Sequence, residues 1–245
     1  MKILEIRNLS KTYHTKTSEI KALEDINFDV NEGEFISIVG PSGCGKSTIL
    51  SILSGIINKS NGEINLKENY SMAYMLQDDS LLPFRTILDN CLLGLEVNNK
   101  INKENKEYVI NLLETYGLGE FINKYPSSLS GGMRQRVALI RTLALKPDIL
   151  LLDEATSSLD YQSALRISED IYKIIKKEGK TAIMVTHDIA QAISSSNRII
   201  TVSKRPAKVK NIYDIEFDKR STPIENRKDK KFSYYYDLIW RDIDV

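Results

Sequence analysis

A short apolar run that ends in a glycine loop constrains this chain more than any other feature. Phe35-Ile36-Ser37-Ile38-Val39 leads directly into Gly40-Pro41-Ser42-Gly43-Cys44-Gly45-Lys46-Ser47. An almost unbroken β-branched run is the kind of strand that a parallel sheet buries on both faces. The loop has the spacing G-x-x-x-x-G-K-[ST], and a helix is expected to follow from Lys46 to about Leu53. Its glycines let the backbone curl around phosphates and aim several N–H groups inward, and the helix start adds partial positive charge. Gly40, Pro41, Ser42, Gly43, Cys44, Gly45, Lys46, Ser47 and Thr48 are therefore candidate ligands of a nucleoside triphosphate. Lys46 is expected on the β- and γ-phosphates and the Ser47 hydroxyl on Mg2+.

Other segments alternate around this unit. Ile3–Ile6, Ile20–Leu23 and Ile26–Val30 read as half-buried antiparallel strands, and Gly62–Leu66 and Met72–Leu76 as further strands. From about Thr86 to Leu145 the pattern is helical, with Val109, Leu112, Leu113 and Tyr116 at helical spacing. Strand signals return at Ile149–Leu152, Ala182–Val185 and Ile199–Val202, with a helical stretch from Gln162 to Lys177. Strands that alternate with helices imply an α/β fold on a parallel sheet, here with an inserted helical subdomain at about 86–145.

Composition narrows the class. The 245 residues and 42% hydrophobic content suit one α/β unit with subdivisions. A net charge of +1 lacks the cationic surplus of a general nucleic-acid binder, so no nucleic acid is expected as a partner. No run approaches the ~18 apolar residues of a membrane span, and the first residues lack a signal-peptide apolar core. Cys44 and Cys91 are the two cysteines and are expected as free thiols in a reducing compartment.

Ile149-Leu150-Leu151-Leu152 ends in Asp153-Glu154, and ligands of parallel sheets bind at the strands' C-terminal ends. Asp153 is placed to hold the Mg2+ shell, and Glu154 to polarise an attacking water. On its own the acidic pair reads equally as a cap for the next helix. Likewise His187 alone is a helix-start residue beside Asp188, Gln77 a polar loop residue, and Tyr13 a strand-edge aromatic.

The order of these pieces resembles the ATP-binding subunit of ATP-binding-cassette (ABC) transporters, over roughly residues 2 to 205. Leu129-Ser130-Gly131-Gly132-Met133-Arg134-Gln135-Arg136 resembles that family's signature sequence, and a Ser-Gly-Gly helix start offers backbone donors and a hydroxyl to an anion. The resemblance implies a P-loop NTPase fold with a RecA-like parallel-sheet core, an antiparallel β subdomain and the helical insert. It implies that Ser130, Gly131 and Gly132 reach ATP bound to a second copy in a homodimer. It also implies that Asp160, which closes the run Asp153–Asp160, touches the opposing subunit. His187 resembles the switch histidine on the γ-phosphate, Gln77 the glutamine that ligates Mg2+ and water, and Tyr13 the aromatic that stacks on adenine.

Gln77–Asn90, Leu129–Leu139 and Ser203-Lys204-Arg205-Pro206-Ala207 resemble the nitrate, sulfonate, taurine and bicarbonate importers. That family usually has Pro-Phe-Gly-Ala after its catalytic Glu, where this chain has Ala155-Thr156-Ser157-Ser158. The resemblance implies an ATPase on the cytoplasmic face of the cell membrane, bound peripherally to permease subunits and acting with an extracytoplasmic solute-binding protein. A non-transport ABC ATPase and an ATP-sensing regulator are the alternatives. Leu81, Leu82, Pro83 and Phe84 are expected either in a permease groove or in the core. The ATPase domain is expected over 1–205. A C-terminal extension, 206–245, follows, with a strand at Tyr213, Ile215 and Phe217 and an amphipathic helix carrying Phe232, Tyr235, Tyr236, Ile239 and Trp240. Between them Arg227–Lys231 reads as a solvated linker.

Overall fold

A computed structural model describes residues 1–14, 18–156 and 160–243. Its centre is a six-stranded sheet in the order β5-β6-β7-β3-β8-β9. These strands are β3 (Phe35–Val39), β5 (Met72–Met75), β6 (Ile149–Asp153), β7 (Thr181–Thr186), β8 (Arg198–Val202) and β9 (Val209–Asp214). The first five run parallel, and β9 closes the edge antiparallel to β8. Every residue of β3, β6 and β7 is buried, as their apolar runs require.

Successive side chains of these strands feed two separate cores, because a strand alternates its faces with period two. Phe35, Leu150, Leu152, Ala182 and Met184 pack among α2 (Ile87–Val97), α3 (Lys103–Thr115), α4 (Gly131–Leu143) and α5 (Tyr161–Lys177). Ile36, Ile38, Leu151, Ile183 and Val185 point the other way, toward α1 (Lys46–Leu53) and a second sheet. That sheet is antiparallel, in the order β2-β1-β4, with β1 at Lys2–His14, β2 at Glu19–Asn31 and β4 at Asn61–Leu66.

The N-terminal strands are longer than the three short segments expected. β1 and β2 are each 13 residues and pair through several register shifts. Asn8 and Asp25 sit near these irregularities at φ 49° and 51°, a left-handed conformation that Asn and Asp tolerate. The bulges absorb polar breaks that look like strand ends in sequence.

The C-terminal strand also differs from expectation. β9 spans Val209–Asp214 rather than Tyr213–Phe217, because Asp214 already pairs with Arg198, the first residue of β8. Beyond that point Ile215 turns inward and is 3% exposed, in a third core with Val39, Ile189, Ile193, Ile199 and Ile239. The helices α6 (Ile189–Ser195), α7 (Pro223–Asn226) and α8 (Lys231–Ile243) cover it. Asn226 is buried and donates to Ser194 O, so the chain is pinned to the core immediately before the charged stretch Arg227–Lys231. Cys44 and Cys91 are buried free thiols.

Candidate functional site

The glycine loop fits tightly between β3 and α1. A Cβ on Gly40 would stand 2.6 Å from Val202 Cγ2 and 2.8 Å from Val202 O, so only glycine lets the loop leave the sheet there. Gly45 has φ 124°, a conformation that favours glycine, and opens α1 without a side-chain cap. Lys46 is 5% exposed and donates from Nζ to Gly40 O at 2.8 Å and Pro41 O at 2.9 Å. Two of the ammonium's three protons are thus held by the loop itself. A cavity of about 200 Å³ is lined by Gly43, Gly45, Lys46, Ser47, Thr48, Glu154 and Arg205.

Asp153, at the end of β6, accepts from Ser47 Oγ at 2.9 Å through Oδ1 and from Tyr74 OH at 2.6 Å through Oδ2. Burial and this bond to Asp153 push the Tyr74 phenol well above its usual range, so it remains a donor. Tyr74 was absent from the expected site because its partner lies 79 residues away in sequence.

Glu154 leaves β6 at φ 41°, its N–H bonded to Val185 O at 2.9 Å on the neighbouring strand. This left-handed backbone is uncommon for glutamate, and such outliers cluster at functional sites. Its carboxylate lies between two other expected site residues. Oε1 is 3.2 Å from His187 Nδ1, and Oε2 accepts from Gln77 Nε2 at 3.3 Å. His187 thus engages Glu154, while Asp188 caps α6 through Gln191 N.

The structure therefore groups the glycine loop, Asp153, Glu154, Gln77 and His187 at the C-terminal ends of the strands. Tyr13 joins from β1, its OH 3.5 Å from Thr48 Oγ1 and the Lys11 ammonium 5.0 Å from its ring centroid. Ser130, Gly131 and Gly132 do not line this cavity. Ser130 caps α4 by accepting from Met133 N at 3.3 Å, and Gly132 gives α5 close approach, since a Cβ there would meet Ile167 Cδ1 at 2.8 Å. Asp160 caps α5, accepting from the N–H groups of Gln162 and Ser163 at 3.1 Å each. Its neighbours Ser157, Ser158 and Leu159 lie outside the described residues.

Several supports were missed in sequence. Gln191 is buried, accepts from Thr186 Oγ1 at 2.8 Å and donates to Thr156 Oγ1 at 3.0 Å and Ser168 Oγ at 2.9 Å. It joins the segment after Glu154 to α5 and α6. Asn90 is fully buried in α2 and holds the segment after Gln77, accepting from Leu82 N and donating to the carbonyls of Leu82, Arg85 and Thr86. Arg134 and Arg141 of α4 reach the same segment, at Asp79 Oδ2 and at the Asp79 and Ser80 carbonyls. A lone Asn on an apolar helical face was the available signal for the second of these.

Among the described residues no cluster of His, Cys, Asp and Glu is arranged to hold a metal by itself, and no helix is long and apolar enough to cross a membrane.

The family model of the ABC transporter matches residues 23–157. An uncharacterized ABC transporter ATP-binding protein, YtlC of Bacillus subtilis, is 40% identical over 252 residues, covering 100% of this chain and 96% of that protein. The aliphatic sulfonates import ATP-binding protein SsuB of Bacillus cereus is 37% identical, covering 86% of this chain and 85% of its own. The dimeric post-hydrolysis state of the ATP-binding cassette MJ0796, bound to ADP and Pi, matches at TM-score 0.73 and 32% identity, covering 87% of this chain and 99% of that one. With the glycine loop, the strand-end acids and the helical insert in the same order, this chain belongs to the ABC transporter family, as one of its ATP-hydrolysing subunits.

Proposed function

We propose that this chain powers a membrane importer for a small solute of the nitrate, sulfonate or taurine type, or a related organic solute. Two copies close head to tail, each holding ATP between its own Lys46 loop and Ser130, Gly131 and Gly132 of the other. The observation that carries this reading is the placement of Glu154 between Gln77 and His187, beside the cavity of Lys46 and Ser47.

Lys46 exchanges its bonds to Gly40 O and Pro41 O for the β- and γ-phosphates, which costs little because the ammonium stays buried and bonded throughout. The Ser47 hydroxyl and the Asp153 carboxylate, 2.9 Å apart, are hard oxygen donors of the kind a nucleotide-bound Mg2+ takes. With Gln77 they would hold that ion, which supplies charge neutralisation to the β- and γ-oxygens. Glu154 accepts the proton of the attacking water, and His187 orients its carboxylate and contacts the γ-phosphate. Tyr13 stacks on adenine, and Asp160 contacts the second copy.

The permease surface is a groove of about 440 Å³, lined among others by Ile56, Met72, Leu76, Leu93, Arg141 and Leu145. Leu81, from the apolar run expected here, is buried in the core, and Phe84 lies outside the groove's lining and is 74% exposed. The working location is the cytoplasmic face of the membrane, with a solute-binding protein acting on the far side.

Steady-state phosphate release by the purified chain, with and without its co-expressed permease, tests the reading. Turnover that rises on assembly is expected, and because Phe84 lies outside the groove's lining, Phe84→Ala should leave that rise in place. A chain that binds ATP without turnover would instead be the nucleotide sensor.

A further inference from the structure

The loop between β8 and β9, Ser203-Lys204-Arg205-Pro206-Ala207-Lys208, is pinned at several points. Ser203 N donates to Lys208 O at 2.9 Å, and the Ser203 hydroxyl donates to Pro206 O at 3.1 Å and accepts from Lys208 N at 3.0 Å. The loop is also stitched to the antiparallel sheet. Ala207 N donates to Ala22 O and Glu24 N to Ala207 O, both at 2.9 Å, and Lys208 pairs with Glu24 at 3.3 Å. A turn tied both to itself and to β2 presents its remaining side chains in a fixed place.

Arg205 is the residue it presents to the glycine loop. One guanidinium nitrogen donates to Gly43 O at 2.6 Å, and Arg205 lines the same cavity as Lys46, Ser47 and Thr48. That bond uses one of the five N–H donors of a guanidinium. Among the described residues no carboxylate forms an ion pair with Arg205, unlike Arg134, Arg136 and Arg198. The cavity is therefore lined by two cations, Lys46 and Arg205, and one acid, Glu154. Lys46 rises from the α1 side, and Arg205 enters at Gly43. A planar fork of donors at an anion cavity matches phosphate oxygens, which it can hold in pairs.

We propose that Arg205 is a second cationic ligand of the nucleotide's phosphate chain, held by the β8–β9 loop and braced on Gly43 O. This rests on the ATP-binding reading above. Direct contact predicts a loss confined to ligands with phosphates, whereas a diffuse surface field would be shared by the neighbouring Lys204, which is exposed.

Titration of the full chain with a fluorescent ATP analogue, with tripolyphosphate and adenosine as competitors, tests it. Arg205→Ala should weaken the analogue and tripolyphosphate alike, by about five- to tenfold for one charge-assisted contact, and leave adenosine within about twofold. Arg205→Lys should recover part of the loss, and Lys204→Ala should bind like the unaltered chain. The proposal is overturned if Arg205→Ala binds the analogue normally, if adenosine weakens equally, or if Lys204→Ala has the same effect. Lys46→Ala separates the two levels. If it too binds ATP normally, the nucleotide site itself is misassigned; if it alone loses ATP, only the role of Arg205 fails.

Discussion

Glu154 and His187 face each other at the end of the central sheet, Oε1 3.2 Å from Nδ1, with Gln77 on the carboxylate's other oxygen at 3.3 Å. The carboxylate is thereby aimed from both sides. Glu154→Gln keeps the shape and removes the proposed base, so ATP binding should persist while phosphate release falls by about 100-fold or more. ATP should then trap a dimer, visible by size-exclusion chromatography. Turnover like that of the unaltered chain would remove Glu154 from the reaction.

Asn90 satisfies four backbone groups around the turn that follows Gln77. Asn90→Ala leaves Leu82 N and Arg85 O without that partner, while Leu82 O and Thr86 O keep the backbone donors Arg85 N and residue 90 N, so the loss should be about 2–3 kcal/mol in urea unfolding. Asn90→Asp should lose a similar amount, because a carboxylate cannot donate to the Leu82, Arg85 and Thr86 carbonyls.

Ile239 is fully buried at the centre of the α8 contact, so Ile239→Ala should lower stability by about 2–4 kcal/mol. Next to it stands Trp240, the chain's single tryptophan. Trp240 and Ile243 share a cavity of about 150 Å³ with Pro41, Ser42 and His187. ATP should therefore shift the intrinsic emission of Trp240, and Lys46→Ala should abolish the shift.

Burial pushes the Cys91 thiol up to about 12. A raised folded pKa means that the protonated thiol's contribution is complete below the unfolded value of about 8.5 and is lost as pH rises toward the folded one. Between about pH 8.5 and 10.5, stability should fall by up to ~1.4 kcal/mol per unit for this group. Cys91→Ala should flatten the slope by that amount in urea titrations, whatever its effect at pH 7. Cys44, also raised by burial, and Tyr108, raised to about 12, contribute with the same sign and keep some slope in the variant.

How much was legible followed from how local each determinant is. β3, β6 and β7 are runs buried on both faces, so hydropathy alone located them, and α1 starts and ends where the glycine loop implied. The acids at the end of β6 were legible because strand ends in parallel sheets are where ligands gather. Tyr74, Gln191, Arg134 and Arg141 were not, because each acts through a partner that only folding brings near. The continuity of β1 and β2 was hidden for a different reason: a bulge at Asn8 or Asp25 looks like a turn until its neighbour strand is known.

The two arginines of α4 have a mechanical consequence. Arg134 stands near the start of the helix that Ser130 opens, Arg141 near its end, and both grip the stretch at Asp79 and Ser80. That stretch follows Gln77 and borders the groove through Leu76 and Ser80. A push on the groove therefore meets a splinted lever rather than a loose hinge. The helix that Ser130 opens and the strap that follows Gln77 are tied together near both ends of that helix, so a displacement of either one strains the bonds that hold it to the other.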